Sequence, residues 1–259
     1  MLRLIAAYII AFNVALATYH HASANNIDSR IVGGNETVIF DFPYQVAIEY
    51  SPFYWCGGVI IGRTWVLTVA HCFDTLLNPV NVTVRYGTSY RLLGGQVVNA
   101  SNVIIHSDYN QTTLDDDIAL IQFDEPLSLS RAARIAYLPN DENSTYYGST
   151  VNVTGWGDTS EGGVNSNVLR KIEVSILTQA LCEDLTSNYD YPVTDKLFCA
   201  GIWEGGKDTC TGDAGSPVSL GSTVVGLASF GDGCGRANHP GVYVNIAKYR
   251  DWITDQTGI

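Results

Sequence analysis

The chain is poor in basic residues: 14 Lys and Arg stand against 26 Asp and Glu in 259 residues, for a net charge of -12. No Lys/Arg run is present that could follow a phosphate backbone, which argues against nucleic acid as a partner. Long apolar runs are also missing: beyond residue 24 nothing approaches the roughly 18 apolar residues of a membrane span, so no membrane partner is expected. The chain further lacks metal-ligand spacing, because no two of its six cysteines are two residues apart and two of its five histidines fall at His20 and His21. No metal and no cofactor are expected.

The apolar stretch Leu4 to Ala17 follows Arg3 and precedes Ala22, Ser23 and Ala24. It is too short to span a bilayer and reads as a secretory signal over residues 1–24, with a secreted, extracellular product. Six cysteines in an exported chain point to disulfides, and spacing alone leaves their pairing open. Six Asn-X-Ser/Thr sequons, at Asn35, Asn81, Asn99, Asn110, Asn143 and Asn152, fit a glycoprotein.

Short runs rich in Val, Ile, Leu and Tyr recur between Gly, Asn, Asp and Ser, among them Tyr44–Tyr50, Trp65–Cys72, Val82–Gly87, Asp117–Phe123, Val151–Gly157, Val168–Leu177 and Val224–Phe230. That pattern predicts an all-β sandwich or barrel. Helical spacing is clear near the C-terminus, where Ile246, Tyr249, Trp252 and Ile253 share one face, and a second short helix is expected from Thr178 through Cys182. The polar stretch Asn140 to Ser149 separates two strand-rich halves, 31–137 and 138–259. The aromatic segment Tyr50-Ser51-Pro52-Phe53-Tyr54-Trp55 reads either as an interaction patch or as packing on a barrel edge.

Three segments carry the chemistry: Leu67-Thr68-Val69-Ala70-His71-Cys72, Asp116-Asp117-Ile118-Ala119-Leu120, and Asp208-Thr209-Cys210-Thr211-Gly212-Asp213-Ala214-Gly215-Ser216-Pro217. With Ile31-Val32-Gly33-Gly34 after Arg30, Gly155-Trp156-Gly157 and Pro240-Gly241-Val242-Tyr243, the chain resembles the trypsin/chymotrypsin family of secreted serine proteases over residues 31–259. It is similar to invertebrate, mite-type trypsin-like proteases and their inactivated relatives. The resemblance implies two six-stranded antiparallel β-barrels with a cleft between them, a C-terminal helix laid against the second barrel, and disulfides Cys56–Cys72, Cys182–Cys199 and Cys210–Cys234. It implies His71 as general base, Asp117 as its orienting carboxylate and Ser229 as a partner of that carboxylate. Gly212 and Ala214 would supply the oxyanion hole. Asp208 would floor a pocket for Arg or Lys, with Gly231 and Gly241 as walls, Tyr243 behind and Phe230 at the edge. Residues 25–30 would be a pro-segment, with cleavage at Arg30–Ile31 freeing an amine to pair with Asp213. The family's calcium loop needs acids, whereas residues 87–96 have none.

One departure decides the reading: Ala214 stands where the family has its nucleophilic serine. Ser216, two residues on, replaces a glycine; it is expected to lie out of reach of His71 and to crowd a tight turn. The chain is therefore expected not to be an enzyme but a secreted, monomeric pseudoprotease that binds basic peptides, inhibitors or components of a cascade such as complement, as decoy or antagonist. Two alternatives stand beside it: an active trypsin-like endopeptidase cleaving after Arg or Lys whose nucleophile was replaced by Ala, and a surface-binding protein with a closed cleft.

Overall fold

The computed structural model describes residues 32–50, 52–74 and 81–259. The expected signal, the pro-segment and the Arg30–Ile31 junction lie outside the described residues.

The first sheet uses β2 (Gln45–Tyr50), β3 (Phe53–Gly62), β4 (Trp65–Thr68), β5 (Val82–Tyr86), β6 (Gln96–Asn99), β7 (Asn102–Ile105) and β8 (Ala119–Gln122), in the order β6-β5-β2-β3-β4-β8-β7. Only Ala100 and Ser101 separate its two ends, so the sheet curls round until one bent stretch of chain pairs with β5 on one side and β8 on the other. The second sheet uses β9 (Thr150–Gly155), β10 (Arg170–Ile176), β11 (Leu197–Gly201), β12 (Pro217–Leu220), β13 (Thr223–Phe230) and β14 (Gly241–Asn245). Pairing of β9 with both β10 and β12 closes these six strands into a barrel. The two-residue β1 (Asn35–Glu36) precedes the first sheet in sequence yet pairs with β10 of the second.

Alternation explains why these segments are strands. In β10 the side chains of Ile172, Val174 and Ile176 point inward while Lys171, Glu173 and Ser175 point outward, and β5 does the same with Val82, Val84 and Tyr86 inside. Burying each such aliphatic side chain contributes about 1.5–3 kcal/mol. Both helices form where the spacing placed them. Thr178 caps α1 (Gln179–Leu185), its hydroxyl accepting from the Leu181 N–H at 3.4 Å. A 3-10 turn, Ile246–Tyr249, leads into α2 (Arg250–Thr257), with Ile246, Tyr249 and Ile253 buried. The C-terminal helix does not lie against the second barrel alone: Trp252 and Tyr249 pack on His106, which follows β7, with ring centroids 5.0 and 5.6 Å away.

The three disulfides are those the resemblance implies: Cys56–Cys72, Cys182–Cys199 and Cys210–Cys234. Among the described residues no helix is long and apolar enough to cross a membrane.

The seam between the sheets is polar in places. Gly57 N–H donates to the Ala214 carbonyl at 2.7 Å, Thr154 Oγ1 to Gln45 Oε1 at 2.7 Å, and Trp156 Nε1 to the Ser89 carbonyl at 3.0 Å. The first of these bonds fixes the 212–217 loop against β3, and the other two join β9 and Trp156 to β2 and to Ser89.

Candidate functional site

His71 sits in a 3-10 turn, Ala70–Phe73, directly after β4, and the Cys56–Cys72 bond ties that turn to β3. Asp117, fully buried, precedes β8, the strand paired with β4. Its Oδ1 accepts the His71 backbone N–H at 2.9 Å, and its Oδ2 accepts the His71 ring Nδ1–H at 2.8 Å and the Ser229 hydroxyl at 2.6 Å. A carboxylate can only accept, so Nδ1 carries the proton and Nε2 keeps its lone pair. Burial pulls the His71 pKa down, but the charge and hydrogen bond of Asp117, aided by Asp74, outweigh it and leave the ring more basic than an ordinary histidine.

A cavity of about 490 Å³ opens beside this histidine, lined by His71, Asp208, Gly212, Ala214, Ser229 and Phe230 among others. The closed-cleft alternative is thereby corrected: Gly231 and Gly233 leave the slot unfilled. Asp208 is buried at its end, Oδ1 accepting from the Thr209 N–H at 2.8 Å and Oδ2 from the Gly235 N–H at 3.0 Å. Burial wins over these bonds and pushes its pKa up to about 7. Gly241 and Tyr243 do not line the cavity but back its floor. A Cβ on Gly241 would come within 2.7 Å of the Tyr243 hydroxyl and 2.9 Å of Asp208 Oδ1, so only glycine fits there. Phe230 meets Tyr191 edge-on at 5.3 Å, which extends the apolar rim.

The loop from Gly212 to Ser216 is held from behind. Tyr54 donates its hydroxyl to the Gly212 carbonyl at 2.7 Å. Gly212 and Gly215 take φ of 94° and 77°, and a Cβ on Gly215 would come within 2.4 Å of the Gly57 carbonyl oxygen. The N–H groups of Gly212 and Ala214 meet no acceptor among the described residues. Asp213 is buried, accepting from the Gly157 N–H at 2.8 Å and the Cys210 N–H at 3.0 Å, and burial pushes its pKa up to about 7.

Ser216 is fully buried and turned away from the cavity, its hydroxyl 3.5 Å from Gln45 Nε2. The crowding expected of it is absent, because it occupies space left free by Gly57 and Gly155, where a Cβ would approach its hydroxyl to 2.1 and 2.9 Å.

Two contributors escaped the sequence reading. Within the aromatic segment 50–55, Tyr54 is buried and supports Gly212, while Phe53 and Trp55 on the other face of β3 are exposed. The alternation in β3 is the signal that separates them. Lys196, unremarked in sequence, reaches Asp116 beside the catalytic-type carboxylate at 2.7 Å. Among the described residues the side chains with metal-ligand spacing are His106, Asp108 and Asp116, but Lys196 already neutralises Asp116 and His106 Nδ1 accepts the Asp108 N–H at 3.2 Å.

The model of the trypsin family matches residues 31–253. The chain belongs to the trypsin family. It is 34% identical over 259 residues to a trypsin of Phaedon cochleariae, covering 96% of this chain and all of that one. It is 36% identical over 231 residues to "Trypsin 5G1" of Aedes aegypti (89% of this chain, 86% of that one) and 33% identical over 228 residues to a vitellin-degrading protease of Bombyx mori (88% and 86%). The expectation that the chain is not an enzyme is corrected by this finding. Its relatives are named as trypsins and a protease, and the physical counterpart is here: a base with its orienting carboxylate beside an open cavity that ends in a buried acid.

Proposed function

We propose that the chain acts as a secreted trypsin-like endopeptidase that selects Arg or Lys before the scissile bond. The observation that carries this reading is the placement of buried Asp208 in the same cavity as His71. A cationic side chain entering the slot pairs with that carboxylate in a desolvated site, where charge-assisted hydrogen bonds are strong. Basic peptides and protease inhibitors are the partners such a slot accepts, and the protein works as a monomer. Residues 1–24 and 25–30 are removed, and the amine freed at Ile31 pairs with Asp213, whose burial raises its carboxyl pKa to about 7.

The chemistry follows from what stands at each position. The methyl group of Ala214 cannot attack a carbonyl, so the nucleophile beside His71 is water. As its oxygen bonds to the carbonyl carbon, one proton passes to His71 Nε2, and the N–H groups of Gly212 and Ala214 stabilise the oxyanion. Collapse breaks the C–N bond, and the imidazolium returns the proton to the leaving amine. In this family's template, the site without one triad member still accelerates hydrolysis about 10³–10⁴-fold over water, and in subtilisin losing the serine costs about 2 × 10⁶ in kcat.

The test is amide hydrolysis by the chain cut after Arg30, with Arg and Leu substrates, for the native chain and for Ala214→Ser/Ser216→Gly. Both forms are expected to favour Arg, the double variant turning over about 10⁶-fold faster. Hydrolysis in either form that is indifferent to Arg over Leu overturns the reading.

A further inference from the structure

The carboxylate that orients His71 lies on a turn that side-chain-bearing residues rarely adopt. Leu114 and Asp116 both have φ of 53°, the left-handed region in which a Cβ crowds the following carbonyl. Two left-handed residues so close together persist only where the surroundings over-determine them. One end of the turn closes on itself, with Asn110 N–H donating to the Asp115 carbonyl at 3.0 Å and Leu114 N–H to the Asn110 carbonyl at 2.7 Å. The other end is held by the opposite barrel. Lys196 Nζ reaches Asp116 Oδ2 at 2.7 Å and Asp115 Oδ2 at 3.4 Å, and Thr194 Oγ1 donates to Asp115 Oδ1 at 2.9 Å.

We propose that Lys196, with Thr194, is a positioning clasp: it pins Asp115 and Asp116 across the barrel seam and so fixes the direction in which Asp117 presents its carboxylate to His71. Asp116 immediately precedes Asp117, so any rotation about the Asp116 backbone swings the Asp117 side chain. That swing matters because both Asp117 oxygens are engaged, by the His71 backbone, the His71 ring and Ser229. The clasp itself rests on firm ground. The Lys196 carbonyl accepts the Asn245 N–H at 2.9 Å and the Thr194 carbonyl accepts the Leu197 N–H at 3.1 Å, which ties the segment to the end of β14 and the start of β11. The second barrel thus grips the catalytic turn twice, through Ser229 on Asp117 itself and through Lys196 on the two residues before it.

An exposed ion pair would count for little. This one differs because Asp116 is 4% exposed, so its carboxylate cannot turn to water when Lys196 is removed. His106 Nδ1, 4.0 Å from Asp116 Oδ1, is too distant to replace the ammonium by a hydrogen bond.

The inference rests on the reading of His71 as the base, and its test reads the His71 ring directly, without turnover. The measurement is solvent exchange of the proton shared by His71 Nδ1 and Asp117, by NMR on the full chain, in native protein and in Lys196→Met, Lys196→Arg and Thr194→Val. Exchange is expected to quicken about tenfold in Lys196→Met, less in Thr194→Val, and to stay native in Lys196→Arg. In the Ala214→Ser/Ser216→Gly background, Lys196→Met is expected to lower kcat about tenfold with KM unchanged. Native exchange in folded Lys196→Met overturns the clasp, as does equal quickening in Lys196→Arg. Should Lys196→Met not fold, native exchange in Thr194→Val overturns it. If exchange responds as expected while no form cleaves an Arg amide, the proposed function fails and the clasp stands.

Discussion

The two barrels contribute unequally to the cavity between them. The first supplies a complete histidine–aspartate pair: His71 and Asp117 stand at hydrogen-bond distance, and Ser229 reaches over to finish the carboxylate's shell. The second supplies the buried Asp208 and the 212–217 loop, and there the outline is kept while two side chains, at 214 and 216, are changed. Asp208, the left-handed Gly212 and Gly215, and the Tyr54 support are in place, but position 214 offers a methyl and the hydroxyl of Ser216 points into the interior. The difference teaches that the scaffold which orients His71 and buries Asp208 at the cavity does not depend on a serine at position 214. Loss of one oxygen leaves the geometry around it standing, because neighbours on both barrels fix each element separately.

That contrast can be broken first at the base. In the Ala214→Ser/Ser216→Gly background, Asp117→Asn is expected to cut kcat on the order of 10⁴-fold, the magnitude of this family's template, because an amide presents the wrong partner to Nδ1–H. Steady-state turnover of an Arg amide checks it. A loss below tenfold would mean the first barrel's arrangement is incidental.

At the slot, Asp208→Asn in the same background removes the charge that answers Arg, which leaves the substrate cation buried and unpaired. The expected cost is about 3–5 kcal/mol, or about 10² to 4 × 10³-fold in kcat/KM for Arg, with Leu substrates little affected. An unchanged Arg-to-Leu ratio would place the specificity elsewhere.

Ionisation sharpens the same comparison, since the acids and the base shift for different reasons. Burial pushes the Asp208 carboxyl up to about 7, so it is partly protonated at neutrality. Binding of benzamidine, a cationic Arg mimic, is expected to weaken as pH falls below about 7, by at most tenfold per unit, with proton release on binding visible by calorimetry. Flat affinity between pH 5 and 8 would contradict it. The His71 pKa is raised, so the protonated ring paired with Asp117 stabilises the fold below the unfolded value and that contribution is lost as pH rises through the folded value.

The smallest expected effect lies in the loop support. Tyr54→Phe removes one hydrogen bond to the Gly212 carbonyl, worth about 1 kcal/mol, and is expected to lower kcat about fivefold while KM holds. No change would show that Tyr54 only fills space beside Trp156, against which its ring packs at 6.3 Å.

Much of this arrangement was legible in the sequence. Alternation marked β5 and β10 and the three-to-four spacing marked α2, while the cleft and the three disulfide pairings came only through the family resemblance, since spacing alone left the pairing open. What stayed hidden has a common physical cause. β6 and β7 are four residues each and largely exposed, and their Val and Ile residues fall side by side rather than in alternation, so they lack the period-two signature of a half-buried strand. β1 leaves its sequence neighbours to pair with β10. Alternation in β3 marks Tyr54 as buried, but its contact 158 residues away and that of Lys196 80 residues away are not encoded by any local pattern. Ala214 taken alone points away from an enzyme, whereas the groups that surround it and the trypsins the chain resembles point toward one.

The most direct test of the account is slow cleavage of an Arg peptide by the native chain cut after Arg30, quantified by mass spectrometry against His71→Ala. The account predicts product after Arg at about 10³–10⁴ times the uncatalysed rate, lost to background when His71 is replaced. Product formation by the native chain no faster than by His71→Ala would contradict it.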